Sequence, residues 1–179
     1  GQFANAMQLA ILGELFSAEA ASVVIQGDAA AALRTLRYRG ILSHAATGAT
    51  PIPGNSSLHQ PISFTHTLLH RRLIDQLETT PTSPELLWKL CTTSLPLYSF
   101  QPFLLLAPIA PQLSISAQEA HSGVAAIVAR TKGMNVAVLE TGGRVLLECG
   151  RAVAQAFSSQ WSSDQQQESE LLLIATDLR

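Results

Sequence analysis

Val136-Ala-Val-Leu-Glu140-Thr-Gly-Gly-Arg-Val145-Leu-Leu147 is the stretch on which the fold class turns. Two apolar runs rich in branched side chains, 136–139 and 145–147, flank Thr141-Gly-Gly143. Glycines supply the positive φ that a tight antiparallel turn needs, so the pattern predicts a β-hairpin turning at Gly142 and Gly143. A hairpin here asks for a sheet around it, and other runs offer strands. Residues 21–25 are short, β-branched and ended by Gly27 and Asp28, and residues 33–38 alternate apolar positions with Arg34, Thr35, Arg37 and Arg39. The second run admits another reading, in which Asp28 caps a helix through 29–36 whose alanines are strong helix formers. Here it is taken as a strand. Residues 100–109 hold Phe103, Leu104, Leu105 and Leu106 between Pro102 and Pro108, a buried strand bounded by breakers.

Helical spacing appears around these strands. Phe3, Met7, Ile11 and Leu15 recur every fourth residue across 3–16, and Leu69, Leu73, Ile74 and Leu77 share one face across 63–77. Thr82-Ser-Pro-Glu85 combines a hydroxyl cap, an early proline and an acid, which marks a helix start. Ser116 with Glu119 is a capping box opening a helix that runs toward Gly133. After Gly150, Val153, Phe157 and Trp161 stand four apart on a further helix, and the apolar tail 171–174 should be docked on something. Residues 40–61, rich in Gly, Pro, Ser and Asn, form the one long loop. Helices at both ends with strands between predict α+β: a mainly antiparallel sheet flanked by helices, folded as a single domain over 1–179. The chain opens at Gly1, which suggests a domain excised from a larger protein.

Charge narrows the partners. Lys and Arg number 11 against 13 Asp and Glu, a net charge of −2, and charged residues are 13% of the chain, about half the globular average. No basic excess exists to neutralise phosphates, so nucleic acid is not expected as a partner. Apolar runs are far shorter than the ~20 residues of a membrane span. A surface this poor in charge, with Phe3, Met7, Phe157 and Trp161 on the end helices, predicts a homodimer or a docked protein partner. The cysteines, Cys91 and Cys149, read as buried thiols of a cytoplasmic protein.

His66 and His70 lie one helical turn apart, a spacing metals use, with His59 and His44 upstream. Without a cysteine or carboxylate nearby they do not make a metal set. The expected site is instead a ligand pocket under the 40–61 loop, lined by His59, His66 and His70, with the loop as a lid. No catalytic residue is assigned. There is no Gly-x-Ser-x-Gly elbow, Cys149 beside Glu148 would have its thiolate disfavoured, and the segment before Glu140 lacks the glycine-rich turn of a dinucleotide site. No cofactor can be named.

Residues 12–40 resemble the opening of GAF domains. A helix leads to Ala20-Ala-Ser-Val-Val-Ile25, an acidic turn follows at Asp28, and Leu36-Arg-Tyr-Arg-Gly40 ends the next strand. Phe103-Leu-Leu-Leu-Ala-Pro108 looks like a later strand of that family and 151–161 like its closing helix, while the 136–147 hairpin is similar to those of PAS and roadblock proteins. The resemblance implies a GAF/PAS-like sheet and a non-catalytic regulatory or sensory domain in a signalling protein, binding a small ligand, dimerising, or both. The alternative is a structural or assembly subunit that docks a protein through apolar helices and binds no small molecule.

Overall fold

The computed structural model describes residues 1–46, 49–53, 59–77 and 79–177. The chain opens with α1 (Gln2–Ala10), whose Leu9 and Ala10 are buried, and turns into the short strand β1 (Leu15–Phe16). Two helices follow, α2 (Ala18–Val24) and α3 (Ala29–Tyr38). Each starts on a cap visible in the sequence. Ser17 Oγ accepts from Ala20 N at 3.0 Å, and Asp28 Oδ1 accepts from Ala31 N at 2.9 Å. Four residues, 25–28, join them, so the pair has the connectivity of a helix-turn-helix.

A hairpin closes this unit. β2 (Leu42–His44) and β3 (Ile62–Phe64) pair antiparallel with Leu42 opposite Phe64 and His44 opposite Ile62, and β1 adds to the other edge of β3. Side chains alternate across a strand, so Leu42, His44, Ile62 and Phe64 share the inner face while Ser43 and Ser63 meet on the outer one, Oγ to Oγ at 3.2 Å. Phe16 packs edge-on to Phe64 at 5.9 Å beneath this sheet.

The rest of the chain is helical: α4 (Thr67–Leu77), α5 (Pro84–Thr92), α6 (Gln101–Leu106) with a 3₁₀ extension over Ala107–Gln112, α7 (Ala117–Ala129), α8 (Val136–Val138), α9 (Arg144–Phe157) and α10 (Ser163–Asp177). Ser83 caps α5 by accepting from Leu86 N, and Ser116 with Glu119 forms the reciprocal capping box of α7. Those two starts are where the sequence placed them. The Ser116 amide and hydroxyl hold the Glu119 carboxyl below the usual carboxylate range. One apolar core joins both parts of the chain, stitched by a bridge of Phe16 to Leu97 and by Ile52 N donating to Leu97 O at 2.6 Å. Among the described residues no helix is long and apolar enough to cross a membrane.

This architecture corrects the expected fold class. The protein is mostly helical, and its sheet of three short strands is too small for the sheet-dominated GAF/PAS-like α+β arrangement. Residues 136–147 are helix: Asn135 caps α8 by accepting from Val138 N at 2.9 Å, a π-turn over Leu139–Gly143 follows, and α9 continues from it. Gly142 is there for space. A Cβ on Gly142 would run into the Phe100 ring, so the small residue admits a neighbour and does not set a turn. Gly123 likewise seats the Trp88 ring against α7. Residues 21–25 and 33–38, expected as strands, lie in or at the end of α2 and α3, where the Ser17 and Asp28 caps supply the starts. Residues 100–109 are α6 and its 3₁₀ extension; Phe103, Leu106 and Ala110 are buried at i, i+3 and i+7, a helical period that four consecutive apolar residues concealed.

Candidate functional site

The strongest concentration of basic groups lies between α3 and the hairpin. Ala18 of α2, Ala30, Leu33, Arg34 and Arg37 of α3, His44 of β2, and His59, Gln60 and Ile62 at the start of β3 line a groove of about 350 Å³. Its floor is apolar: Leu33 and Ile62 are buried. Its rim is basic. The helical period explains the convergence, because Arg34 and Arg37 are three apart and therefore neighbours on one face of α3. The strand period brings His44 to the same place, on the inner face of the sheet opposite Ile62. Gln60 is fixed by donating Nε2 to Ala45 O at 2.6 Å, beside the backbone bond from Ala45 N to Pro61 O.

Among the described residues no carboxylate lines this groove. Arg34 forms no ion pair among the described residues, and Arg37 Nε is buried without a hydrogen-bond partner. Burying a donor unmade costs about 1–3 kcal/mol, a cost that binding sites tolerate when a ligand makes the bond. Cationic groups above a low-dielectric floor concentrate positive potential, so the groove is suited to a ligand that presents negative charge beside apolar surface.

The histidines expected to line one pocket are separated. His59 joins the groove with His44, whereas His66 and His70 do not line it. His66 is exposed and precedes α4, its carbonyl accepting from Leu69 N and His70 N. His70 is half-buried against the Phe64 ring at 5.2 Å with Nε2 at 3.4 Å from Ala10 O, and burial pushes its pKa down. His70 thus packs α4 on α1. Residues 47–48 and 54–58 of the expected lid lie outside the described residues. Among the described residues no cluster of His, Cys, Asp and Glu could hold a metal. Sequence reading missed Arg34 and Arg37 because a strand assignment sends them to unrelated positions; the Asp28 cap was the signal that would have joined them.

A second polar constellation sits where α10 meets α7. His121 Nδ1 lies 3.0 Å from Ser169 Oγ and Nε2 lies 3.1 Å from Glu168 Oε2, while the Trp161 ring stands edge-on to the imidazole at 5.6 Å. Serine, imidazole and carboxylate are the parts of a nucleophilic triad, but the geometry denies the chemistry. Ser169 is buried in the middle of α10, where backbone N–H groups are spent on the helix and none is left to stabilise an oxyanion. This cluster fastens α10, aided by Trp161 Nε1 donating to Ala117 O at 3.1 Å and Arg151 pairing with Asp177 at 2.6 Å. In comparison with known proteins, no family model, no curated protein and no solved structure matches this chain.

Proposed function

We propose that the chain is a non-catalytic regulatory domain, working in the cytoplasm, whose functional surface is the groove between α3 and the β2–β3 hairpin. The groove takes a ligand that combines an apolar body with negative charge. One observation carries this reading: three separate segments bring Arg34, Arg37, His44, His59 and Gln60 to one apolar depression without an acid, in a chain with only 11 Lys and Arg.

A helix-turn-helix invites comparison with DNA readers, but the residues argue otherwise. Such modules read base edges with the first residues of the second helix. In α3 these are Ala29, Ala30, Ala31 and Ala32, which offer no hydrogen-bonding side chain. Fold likeness alone does not carry function.

The test uses 8-anilino-1-naphthalenesulfonate, an aromatic body with one negative charge. We expect saturable fluorescence with one groove site per chain, weakened about tenfold in Arg34→Glu, the scale of one charge-assisted hydrogen bond. Binding that does not saturate, or that is unchanged in Arg34→Glu at equal stability, overturns the assignment.

A further inference from the structure

α10 carries the complement of this groove. Its inward side is spent: Ser169 and Leu173 are buried, with Leu173 packed against Gly150 of α9. At 100° per residue, Gln167, Leu171 and Ile174 fall on the opposite side at i, i+4 and i+7, the spacing at which a helix anchors into a groove. Leu171 is 59% and Ile174 54% exposed, so this apolar strip is left uncovered by the described residues. Carboxylates frame it, Asp164 and Glu168 along one edge and Glu170 and Asp177 along the other, and no Lys or Arg occurs in Ser163–Asp177. Glu168 and Asp177 already hold His121 and Arg151, which leaves Asp164 and Glu170 as the outward acids.

We infer that the outer face of α10 in one copy docks into the α3–hairpin groove of a second copy, Leu171 and Ile174 on the apolar floor and Glu170 at the Arg34 and Arg37 rim. The inference rests on the groove reading above and names its occupant. Charge complementarity selects it: an apolar strip in an acidic frame meets an apolar floor in a basic one, both on a chain otherwise poor in charge. Each copy carries one strip and one groove. The contact is therefore made twice across a two-fold axis or repeats head to tail.

The experiment is sedimentation equilibrium of the full chain at micromolar to hundred-micromolar concentration in low salt. We expect a mass that rises above 19.1 kDa with concentration and falls back as salt screens the rim. Arg34→Glu and Glu170→Lys should each weaken association about tenfold or more, and Leu171→Ser/Ile174→Ser should abolish it. The double variant Arg34→Glu/Glu170→Lys, which exchanges the two charges, should recover most of the affinity. All of these positions are exposed, so circular dichroism should show an unchanged fold. A chain that stays at 19.1 kDa throughout, or an association that the single variants leave intact or the double variant fails to restore, overturns the α10 contact. Binding of 8-anilino-1-naphthalenesulfonate separates the two failures. If the probe still binds through Arg34 while association is absent, the groove stands and only its occupant is wrong. If the probe also ignores Arg34, the groove reading falls first.

Discussion

The α3–hairpin groove and the α7–α10 junction are built from the same kinds of side chain and treat them in opposite ways. At the junction every polar group has been given a partner: both His121 nitrogens, the Ser169 hydroxyl and the Trp161 N–H are bonded within the chain. In the groove the guanidinium groups face an apolar floor without an acid, and Arg37 Nε has no hydrogen-bond partner among the described residues. Partnered groups hold helices together, and groups left over are available to something else. A triad of residue types at the junction therefore carries less functional information than two arginines without an acid in the groove.

If the C-terminal helices are assembled by close fit, the largest losses should come from filling the spaces they use. Gly142→Val places a branched side chain where the Phe100 ring lies. Overpacking costs about 1–3 kcal/mol, and this site, with an aromatic ring in the way, should fall at about 3. Gly123→Ala is the more discriminating test. Helix propensity alone would make it stabilising by about 1 kcal/mol, whereas the contact with Trp88 makes us expect a net loss in urea denaturation. A gain in stability would mean that the close approach of Trp88 to α7 is not maintained.

His121→Ala tests the junction itself. The substitution leaves Ser169 Oγ buried and unbonded and removes the ring beneath Trp161, so we expect a loss of about 1–3 kcal/mol. His121→Gln, whose amide can still reach a hydroxyl, should recover part of it. Trp161 fluorescence would follow the release of α10. Equal losses for both variants would show that the polar bonds contribute nothing beyond packing.

How far these regions could be read from the sequence differs for physical reasons. Local signals were legible: Ser83-Pro-Glu and the Ser116–Glu119 capping box place α5 and α7, because caps act within one turn and need no tertiary context. The same signal was present at Asp28 and Asn135 and was outweighed by the alternation over 33–38 and by the branched runs around Gly142, although each of those aspartate or asparagine side chains caps a helix. Gly142 could not be read locally at all. Its meaning depends on Phe100, some 40 residues away. The site was legible in part: His59 was chosen, but its companions are fixed by strand register and by the helical face of α3, and neither follows from spacing once α3 is taken as a strand. Phe157 and Trp161, expected on an exposed docking face, are buried and half-buried; of the four apolar residues named, Phe3 remains exposed.

His70 offers a smaller, pH-dependent contrast with the groove. Burial holds its pKa below the ordinary 6.5, so the folded chain takes up a proton less readily than the unfolded one. The stability this protects is fully present above about pH 6.5 and declines as pH falls through that value toward the folded pKa. We expect His70→Gln to flatten this part of the stability profile, measured by denaturation between pH 5 and 8. A profile that keeps its slope in His70→Gln would place the titrating group elsewhere and remove the argument that His70 is a packing residue.

Arg37→Met should have the smallest effect on stability, and its sign is the informative part. Methionine keeps the length of the arginine stem along Leu33 and Ile62 while deleting the buried Nε that has no partner. Removing an unsatisfied donor relieves a desolvation cost, so stability should hold or rise by a few tenths of a kcal/mol, within the usual range of ±0.5 for surface changes. Affinity for 8-anilino-1-naphthalenesulfonate should fall at the same time, because the rim loses one of its two guanidinium groups. Opposite movement of the two quantities is what a functional group held at a structural cost produces, since stability and binding then depend on the same side chain in different directions. A loss of stability of 1 kcal/mol or more with unaltered probe binding would mean instead that Arg37 is bonded in the folded protein. The groove would then resemble the α7–α10 junction, and the contrast drawn between them would no longer hold.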